Sequence, residues 1–354
     1  MKNDIDLVIT VRDRDTTRLE KQIQSIRQHG ADPNISLVDY GSSVEYANKF
    51  ARIAQNLKLD YIQVYSQGWP WNKCHAINIA VKNSSAPFIV TSDLDMLYDS
   101  NPFEYCLNKW RIKQFYSING FWMRKENRKE NARCAGKGNY GFFLFTDRIA
   151  YELSGGYDER IVYWGLEDLD WPERLKALGY DQEWLPAEHK IYHQWHPSVS
   201  SGPARPMTAS INTMRYCLDN TLAPVCENTW GKMVTKNDRP ILRLLESGKK
   251  PFELSINPNE LMHFPTQIRL AETKKEGWVK VSIGNRLIQR PLDKLRNVAK
   301  SILRPLSALT GNTVVDKTNC NFDYLYEMLP VLRQHGVIDY YIEPSLDVVY
   351  LLWE

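Results

Sequence analysis

The sequence predicts an α/β protein with a mostly parallel sheet and crossover helices, followed by a C-terminal region that is mixed and partly helical. Over the first 95 residues, short apolar runs typical of buried strands alternate with stretches in which apolar residues recur every three or four positions. This alternation is typical of parallel strands joined by helices. Beyond about residue 205 similar signals continue without any motif. We therefore expect a first domain over residues 1–205 and an accessory region of unassigned role over residues 206–354.

Four strands are predicted at the start of the chain, each an apolar or β-branched run: residues 7–11, 35–38, 61–65 and 87–91. Helices fill the three intervals between them. The first helix begins at Asp15 or Thr16, either of which can cap it, and ends at Gly30. The other two are expected at about residues 43–56 and 72–81.

The pattern loosens after Asp95, so the remaining elements of the first domain are predicted from shorter signals. The charged residues 124–139 are expected to form a loop. A strand, a turn, a helix and a strand should follow, at about residues 140–146, 155–159, 167–178 and 180–185.

The composition argues against several classes of protein. A net charge of +3 gives no overall electrostatic basis for a nucleic-acid partner. The six cysteines form no Cys-x-x-Cys pair, so neither a zinc site nor a disulfide framework is expected. The sequence shows no signal-peptide core and no run of about 18 apolar residues. We therefore expect a cytoplasmic protein with reduced thiols.

Two carboxylates, Asp93 and Asp95, stand two residues apart directly after the predicted strand 87–91. Ligands bind at the carboxyl edge of the sheet in open α/β folds. Carboxylate oxygens there suit Mg²⁺ or Mn²⁺ that carries a diphosphate. A second acidic cluster at residues 167–170 and a His-x-x-His pair lie downstream. These later clusters favour a functional site over a solvated turn.

Taken together, these segments resemble the nucleotide-sugar-dependent glycosyltransferases of the GT-A type, most closely the family 2 enzymes and the β-1,4-galactosyltransferase-like group. The resemblance covers somewhat over half of the chain and rests on the order and spacing of short segments at residues 11–14, 38–42, 71–78, 92–95, 156–159, 164–170 and 174–175. It implies a Rossmann-like GT-A catalytic domain over residues 1–205. The sequence departs from the family at Gly165-Leu166, where two glycines are frequent, and in its His-x-x-His spacing.

The resemblance implies that the nucleotide-sugar donor contacts residues at the ends of the first strands and before Asp95: Arg12, Arg14, Asp39, Lys73, Asn78 and Asp93. Asp39 would contact uracil, and Asp93 would contact ribose or the metal's shell. Alternatives remain open. Asp39 could be a turn former with Gly41, and both arginines could be solvated surface charges.

The expected metal ligands are Asp95 and one or both of His193 and His196. A neutral imidazole added to carboxylate and phosphate oxygens favours Mn²⁺ over Mg²⁺. His193 is slightly preferred because it directly follows the strand-like residues 190–192.

Asp168 is the candidate catalytic base. The helix expected to begin near it would place its carboxylate at the positive end of the helix dipole, which keeps it ionised. A base must accept the proton of the acceptor hydroxyl as that oxygen attacks the anomeric carbon. The resemblance implies that Glu167 binds the acceptor. Trp164 could stack on a sugar there or pack in the core.

We therefore expect a metal-dependent, inverting hexosyltransferase that uses a UDP-sugar donor and a saccharide or lipid-linked saccharide acceptor in surface polysaccharide biosynthesis. The basic amphipathic stretch at residues 286–304 could contact the inner face of a membrane peripherally or dock on the protein itself. One alternative is a non-catalytic carbohydrate-binding or scaffold protein with the same fold. Another is a nucleotidyltransferase, although no glycine-rich phosphate loop follows the first strand.

Overall fold

The structure is a computed structural model that describes residues 3–126, 128–136, 138, 141–162, 165–196, 230–256, 277–283, 336–344 and 348–353. The chain forms two compact units, Met1–Asp238 and Arg239–Glu354. The predicted domain boundary at residue 205 lies outside the described residues.

Among its described residues the first unit contains these strands: β1 Ile5–Val11, β2 Asn34–Tyr40, β3 Asp60–Val64, β4 Phe88–Thr91, β5 Met96–Tyr98, β6 Gln114–Ser117, β7 Gly120–Trp122, β8 Arg133–Cys134, β9 Leu144–Asp147, β10 Asp181–Trp184 and β11 Ile191–His193. Its helices are α1 Thr16–Gln28, α2 Val44–Leu57, α3 Lys73–Asn83, α4 Pro102–Lys109, α5 Arg148–Ser154 and α6 Glu167–Ala177. Two 3₁₀ turns span Lys129–Asn131 and Lys236–Asp238.

Seven strands form the central sheet in the order β10–β6–β9–β4–β1–β2–β3. Neighbouring strands are parallel except at β9, which runs antiparallel to both β4 and β6. β1 lies in the sheet interior and is buried at all seven positions, which explains why its sequence is almost continuously apolar. The predicted α/β class, with a mostly parallel sheet and crossover helices, is confirmed.

A smaller sheet of four strands has the order β5–β11–β7–β8. β11 pairs antiparallel with β5 and parallel with β7. The prediction of a loop throughout residues 124–139 is wrong, because β8 lies within that stretch and pairs with β7. This pairing satisfies backbone groups of β7 that would otherwise lack partners on that edge.

Local sequence signals account for the helices that carry the site. Asp15 caps α1 by accepting a hydrogen bond from the Thr17 N–H at 3.0 Å, as predicted. Asn72 caps α3 in the same way, through the His75 N–H at 2.8 Å. α6 begins at Glu167, one of the two predicted positions.

The described part of the second unit contains one helix, α7 Pro240–Ser247, and the strands β12 Phe252–Ile256, β13 Trp278–Ile283, β14 Val337–Ile342 and β15 Val348–Trp353. The strands form one sheet in the order β12–β13–β15–β14. A buried ion pair joins Arg239 to Asp339 at 2.9 Å and connects the residue before α7 to β14. The predicted basic stretch 286–304 lies outside the described residues. No helix in the part of the chain that the structure describes has the length and apolarity needed to cross a membrane.

Candidate functional site

The two carboxylates of the Asp-x-Asp motif lie in the loop that joins β4 to β5, at the carboxyl edge of β4. Neighbouring segments hold this loop in place. The Gln22 side chain donates to the Asp93 carbonyl at 2.9 Å, and the Ser92 hydroxyl donates to the Phe142 carbonyl at 2.7 Å. The Asp93 N–H donates to the Gly141 carbonyl at 3.0 Å. Contacts within the protein therefore fix the backbone of this loop at Ser92 and Asp93.

The pairing of β11 with β5 brings the two predicted histidines to Asp95. In the register of this pair His193 lies opposite Met96, and the Gln194 N–H donates to the Asp95 carbonyl at 2.9 Å. His193 Nε2 is 3.6 Å from Asp95 Oδ1, and His196 Nε2 is 3.1 Å from Asp95 Oδ2. Strand pairing thus assembles a cluster from residues that are distant in sequence.

Asp95, His193 and His196 form a donor set that fits a divalent metal ion. One ligand atom from each lies within 4.8 Å of the others, and carboxylate oxygen with imidazole nitrogen suits Mn²⁺ and related ions. Burial lowers the pKa of His193, which keeps its imidazole neutral, as a ligand must be. Burial alone would raise the pKa of Asp95, but the two histidines and Arg18 outweigh burial and lower it. The carboxylate is therefore ionised.

Arg18 belongs to this cluster, although it was not among the residues predicted from the sequence. Its Nη1 lies 3.3 Å from Asp95 Oδ2, and its carbonyl accepts a hydrogen bond from Gln194 Nε2 at 3.1 Å. One signal could have indicated it. Arg18 is the third residue of α1, where the helix dipole disfavours a cation unless an acid compensates for it.

Lys73 links the other acid of the motif to the second acidic cluster. Its Nζ lies 2.6 Å from Asp93 Oδ1 and 3.4 Å from Glu167 Oε1. Burial alone would lower the pKa of Lys73, but Asp93 and Glu167 outweigh burial and raise it well above its ordinary value. Burial also raises the pKa of Asp93, against the opposing effect of Lys73. Lys73 is therefore a permanent cation between two acids.

Asp168 lies in the first turn of α6 beside Glu167. Burial, followed by the charge of Glu167, raises the pKa of Asp168 to about 7. The expectation that the helix dipole keeps Asp168 fully ionised is therefore wrong, because burial and a like charge outweigh the dipole. A carboxyl group with this pKa can exchange a proton near neutral pH.

Lys73, Glu167 and Asp168 line one recess, whose volume is about 440 Å³ when the adjoining open solvent is included. The rest of its lining comes from the end of β4, from the end of β6, from the segment that leads into β9 and from the turn after α5: Thr91, Ser92, Ser117, Ile118, Gly138, Gly141, Phe142, Phe143, Leu144 and Tyr157. The candidate base therefore faces the same space as the end of the Asp-x-Asp strand.

The two arginines expected at the donor differ in their surroundings. Arg12 donates to the carbonyls of Gly41, Ser66 and Trp69 at 3.2, 2.7 and 2.8 Å, and so ties together the segments that follow β1, β2 and β3. Arg14 is half-buried. Burial and the neighbouring Arg18 lower the pKa of Arg14, while the two acids of the motif act in the opposite direction. Arg14 is thus within electrostatic range of both acids.

Asp39 and Asn78 have partners within the protein. The buried Asp39 accepts hydrogen bonds from the Ser42 N–H at 2.9 Å and the Tyr61 hydroxyl at 2.8 Å, and burial raises its pKa. Asn78 is buried and exchanges two hydrogen bonds with the backbone of Tyr157. Donor contacts by these two residues stay predictions, and Trp164 lies outside the described residues.

No family model matches the chain, and no curated protein matches it. Among solved structures, the chain is similar to GalNAc-T7 with UDP, GalNAc and Mn²⁺, with a TM-score of 0.47 and 13% identity over 61% of this chain and 47% of that chain. It is also similar to the mannosyltransferase PcManGT from Pyrobaculum calidifontis in complex with GDP-Man and Mn²⁺, with a TM-score of 0.46 and 13% identity over 86% of this chain and 81% of that chain. The chain thus spans about half the length of the first of these proteins. Similarity at this level assigns no function.

Proposed function

We propose that this protein is a metal-dependent, inverting glycosyltransferase that moves a sugar from a UDP-sugar to a saccharide acceptor. One observation carries the proposal. The Asp-x-Asp loop contributes Asp95 to a ligand set with two histidines, while Asp93 is joined through Lys73 to the acidic turn that holds Asp168. This arrangement supports a metal-bound diphosphate held near a carboxyl group whose pKa is raised to about 7.

Asp95, His193 and His196 would hold the ion. A bound divalent cation neutralises the diphosphate and so improves it as a leaving group. Arg14 is the better placed of the two predicted arginines for the same diphosphate, because Arg12 bonds to three carbonyls. Asp93, held by Lys73, would contact the donor's ribose.

Asp168 would act as the base in a single in-line displacement. It accepts the proton of the acceptor hydroxyl while that oxygen forms a bond to the anomeric carbon and the bond from that carbon to the diphosphate breaks. Efficient proton transfer requires a base whose pKa lies near the working pH, and the pKa of about 7 at Asp168 meets that requirement. Glu167, which lines the same recess, would bind acceptor hydroxyls.

The proposed identities of the donor, the metal and the acceptor rest on the resemblance of the sequence to the GT-A glycosyltransferases. They are a UDP-sugar donor, Mn²⁺ rather than Mg²⁺, and a saccharide or lipid-linked acceptor in surface polysaccharide biosynthesis. A cytoplasmic location, with peripheral membrane contact through residues 286–304, belongs to the same proposal.

The direct test is a panel of UDP-sugars and GDP-sugars incubated with and without Mn²⁺, with free diphosphate and product mass as the readouts. We expect Mn²⁺-dependent release of UDP from at least one donor, with a matching mass gain on a saccharide acceptor. UDP binding without release from any donor would instead support a non-catalytic scaffold. In a parallel reaction with a nucleoside triphosphate and a sugar phosphate, release of pyrophosphate would support a nucleotidyltransferase.

A further inference from the structure

We propose that Arg18 is a donor-binding residue that exchanges partners: it neutralises Asp95 when no metal is bound and turns to a phosphate oxygen of the donor once the ion is in place. This inference rests on the proposed function. It assigns to α1 a part in donor binding that the sequence motifs do not indicate.

The exchange follows from which atoms share Asp95. Its Oδ2 is 3.3 Å from Arg18 Nη1 and 3.1 Å from His196 Nε2. An ion bound between Asp95 Oδ2 and His196 Nε2 would lie at the oxygen that Arg18 pairs with, and its charge would repel the guanidinium. Arg18 and the ion therefore compete for one carboxylate oxygen.

The position of Arg18 is unfavourable apart from this interaction. It lies in the first turn of α1, at the positive end of the helix dipole, and Arg14 is a like charge nearby. The Arg18 side chain is 16% exposed, so water screens it only in part. A cation displaced from Asp95 in these surroundings needs a new anion, and a metal-bound diphosphate would supply one.

The backbone around Arg18 is anchored to the histidine segment. The buried Gln194 donates through Nε2 to the Arg18 carbonyl and through its N–H to the Asp95 carbonyl. This bridge holds the first turn of α1 against the loop that carries Asp95. The guanidinium can therefore change partner while its backbone stays in place.

The competing explanation is that Arg18 only stabilises the fold by pairing with Asp95. The variant Arg18→Gln separates the two explanations, with Lys21→Gln as the matched control, since Lys21 is an exposed cation on the same helix. Isothermal titration calorimetry would measure the Kd of Mn²⁺ alone and the Kd of UDP at saturating Mn²⁺.

For Arg18→Gln we expect Mn²⁺ alone to bind about fivefold more tightly, because a competitor for Asp95 is gone. We expect UDP at saturating Mn²⁺ to bind about tenfold more weakly, because a charge-assisted hydrogen bond to phosphate is lost. Lys21→Gln should change neither Kd by more than about twofold. A Mn²⁺ affinity that is unchanged or weaker, or an unchanged UDP affinity, overturns the proposal.

If Arg18→Gln does not fold, Arg18→Lys carries the test. It keeps the charge but loses the planar guanidinium, so UDP at saturating Mn²⁺ should bind about threefold to tenfold more weakly, and unchanged UDP affinity overturns the proposal. A wild-type protein that binds neither Mn²⁺ nor UDP would refute the proposed function itself, which is a different outcome.

Discussion

Lys73 forms an ion pair with Asp93, with 2.6 Å between Nζ and Oδ1. The same nitrogen lies 3.4 Å from Glu167 Oε1, so one cation joins the Asp-x-Asp loop to the first turn of α6. Because Lys73 is the first residue of α3, the start of this helix places a cation between the two acids. The charges of Lys73 and Glu167 act in opposite directions on the pKa of Asp168.

Replacement of Glu167 should shift the pH dependence of transfer to lower pH. As a base, Asp168 acts only when deprotonated, so kcat/KM should rise with pH as this carboxyl group, whose pKa burial and Glu167 raise, loses its proton. Glu167→Gln removes a negative charge that raises this pKa, and so lowers the midpoint. The check is a pH profile of kcat/KM at saturating Mn²⁺, with Glu173→Gln, an exposed acid on the same helix, as the control. A midpoint that stays in place or moves upward would contradict this electrostatic picture.

Replacement of Lys73 should shift the same profile in the opposite direction. Lys73 lowers the pKa of Asp168, so Lys73→Met should raise the midpoint. It should also lower the free energy of unfolding by about 1.5–3 kcal/mol, because the pair with Asp93 is lost. Urea denaturation and the pH profile measure the two effects. Lys82→Met, on the same helix, should leave the midpoint unchanged, and an equal shift in both variants would argue against a specific role for Lys73.

Gly141 is required where the backbone approaches the two paired side chains. A Cβ at this position would lie 2.8 Å from Asp93 Oδ2 and 3.1 Å from Lys73 Nζ, and the residue has φ of +70°. Gly136, with φ of +78° and open space around it, is a matched control. Each change to alanine should cost about 1–2 kcal/mol of stability for the left-handed backbone. Only Gly141→Ala should also weaken UDP binding at saturating Mn²⁺, because the added Cβ would press on Asp93 and Lys73. Equal UDP binding by both variants would contradict this steric explanation.

The two histidines can be compared by single replacements. The sequence favours His193, whereas in the structure His196 lies nearer to Asp95, at 3.1 Å against 3.6 Å. We expect His193→Ala and His196→Ala each to weaken Mn²⁺ binding at least about tenfold, as measured by electron paramagnetic resonance of the free ion. His189→Ala, whose ring hydrogen-bonds to Ser100, should have no effect. A histidine whose loss leaves Mn²⁺ binding intact is not a ligand.

The parts of the site that the sequence predicts are those encoded locally. Asp93 and Asp95 directly follow an apolar strand, and Glu167 and Asp168 open a helix, so their positions follow from strand ends and helix starts. The start of α1 marks Arg18 only as a cation in an unfavourable position. Its pairing with Asp95 could not be predicted, because the two residues lie far apart in the chain and meet only in the folded protein.

The pairing of β11 with β5 and the burial of Asp168 could not be predicted from the sequence either. The antiparallel pairing of β11 with β5 brings the two histidines to Asp95. Both strands have only three residues, so neither has a periodic pattern from which the pairing could be predicted. The pKa of Asp168 depends on burial by other segments. Its position at the start of a helix predicts a lowered pKa, whereas burial raises it.

The most direct test compares the wild type with Asp95→Ala and Asp168→Asn on the donor that the panel selects, with Asp181→Asn as a surface control. Product mass measures transfer, and calorimetry measures binding of UDP with Mn²⁺. We expect both site variants to lose transfer, Asp95→Ala also to lose Mn²⁺-dependent UDP binding, and Asp168→Asn to keep that binding. Full transfer by Asp168→Asn would contradict its role as the base and with it the proposed mechanism.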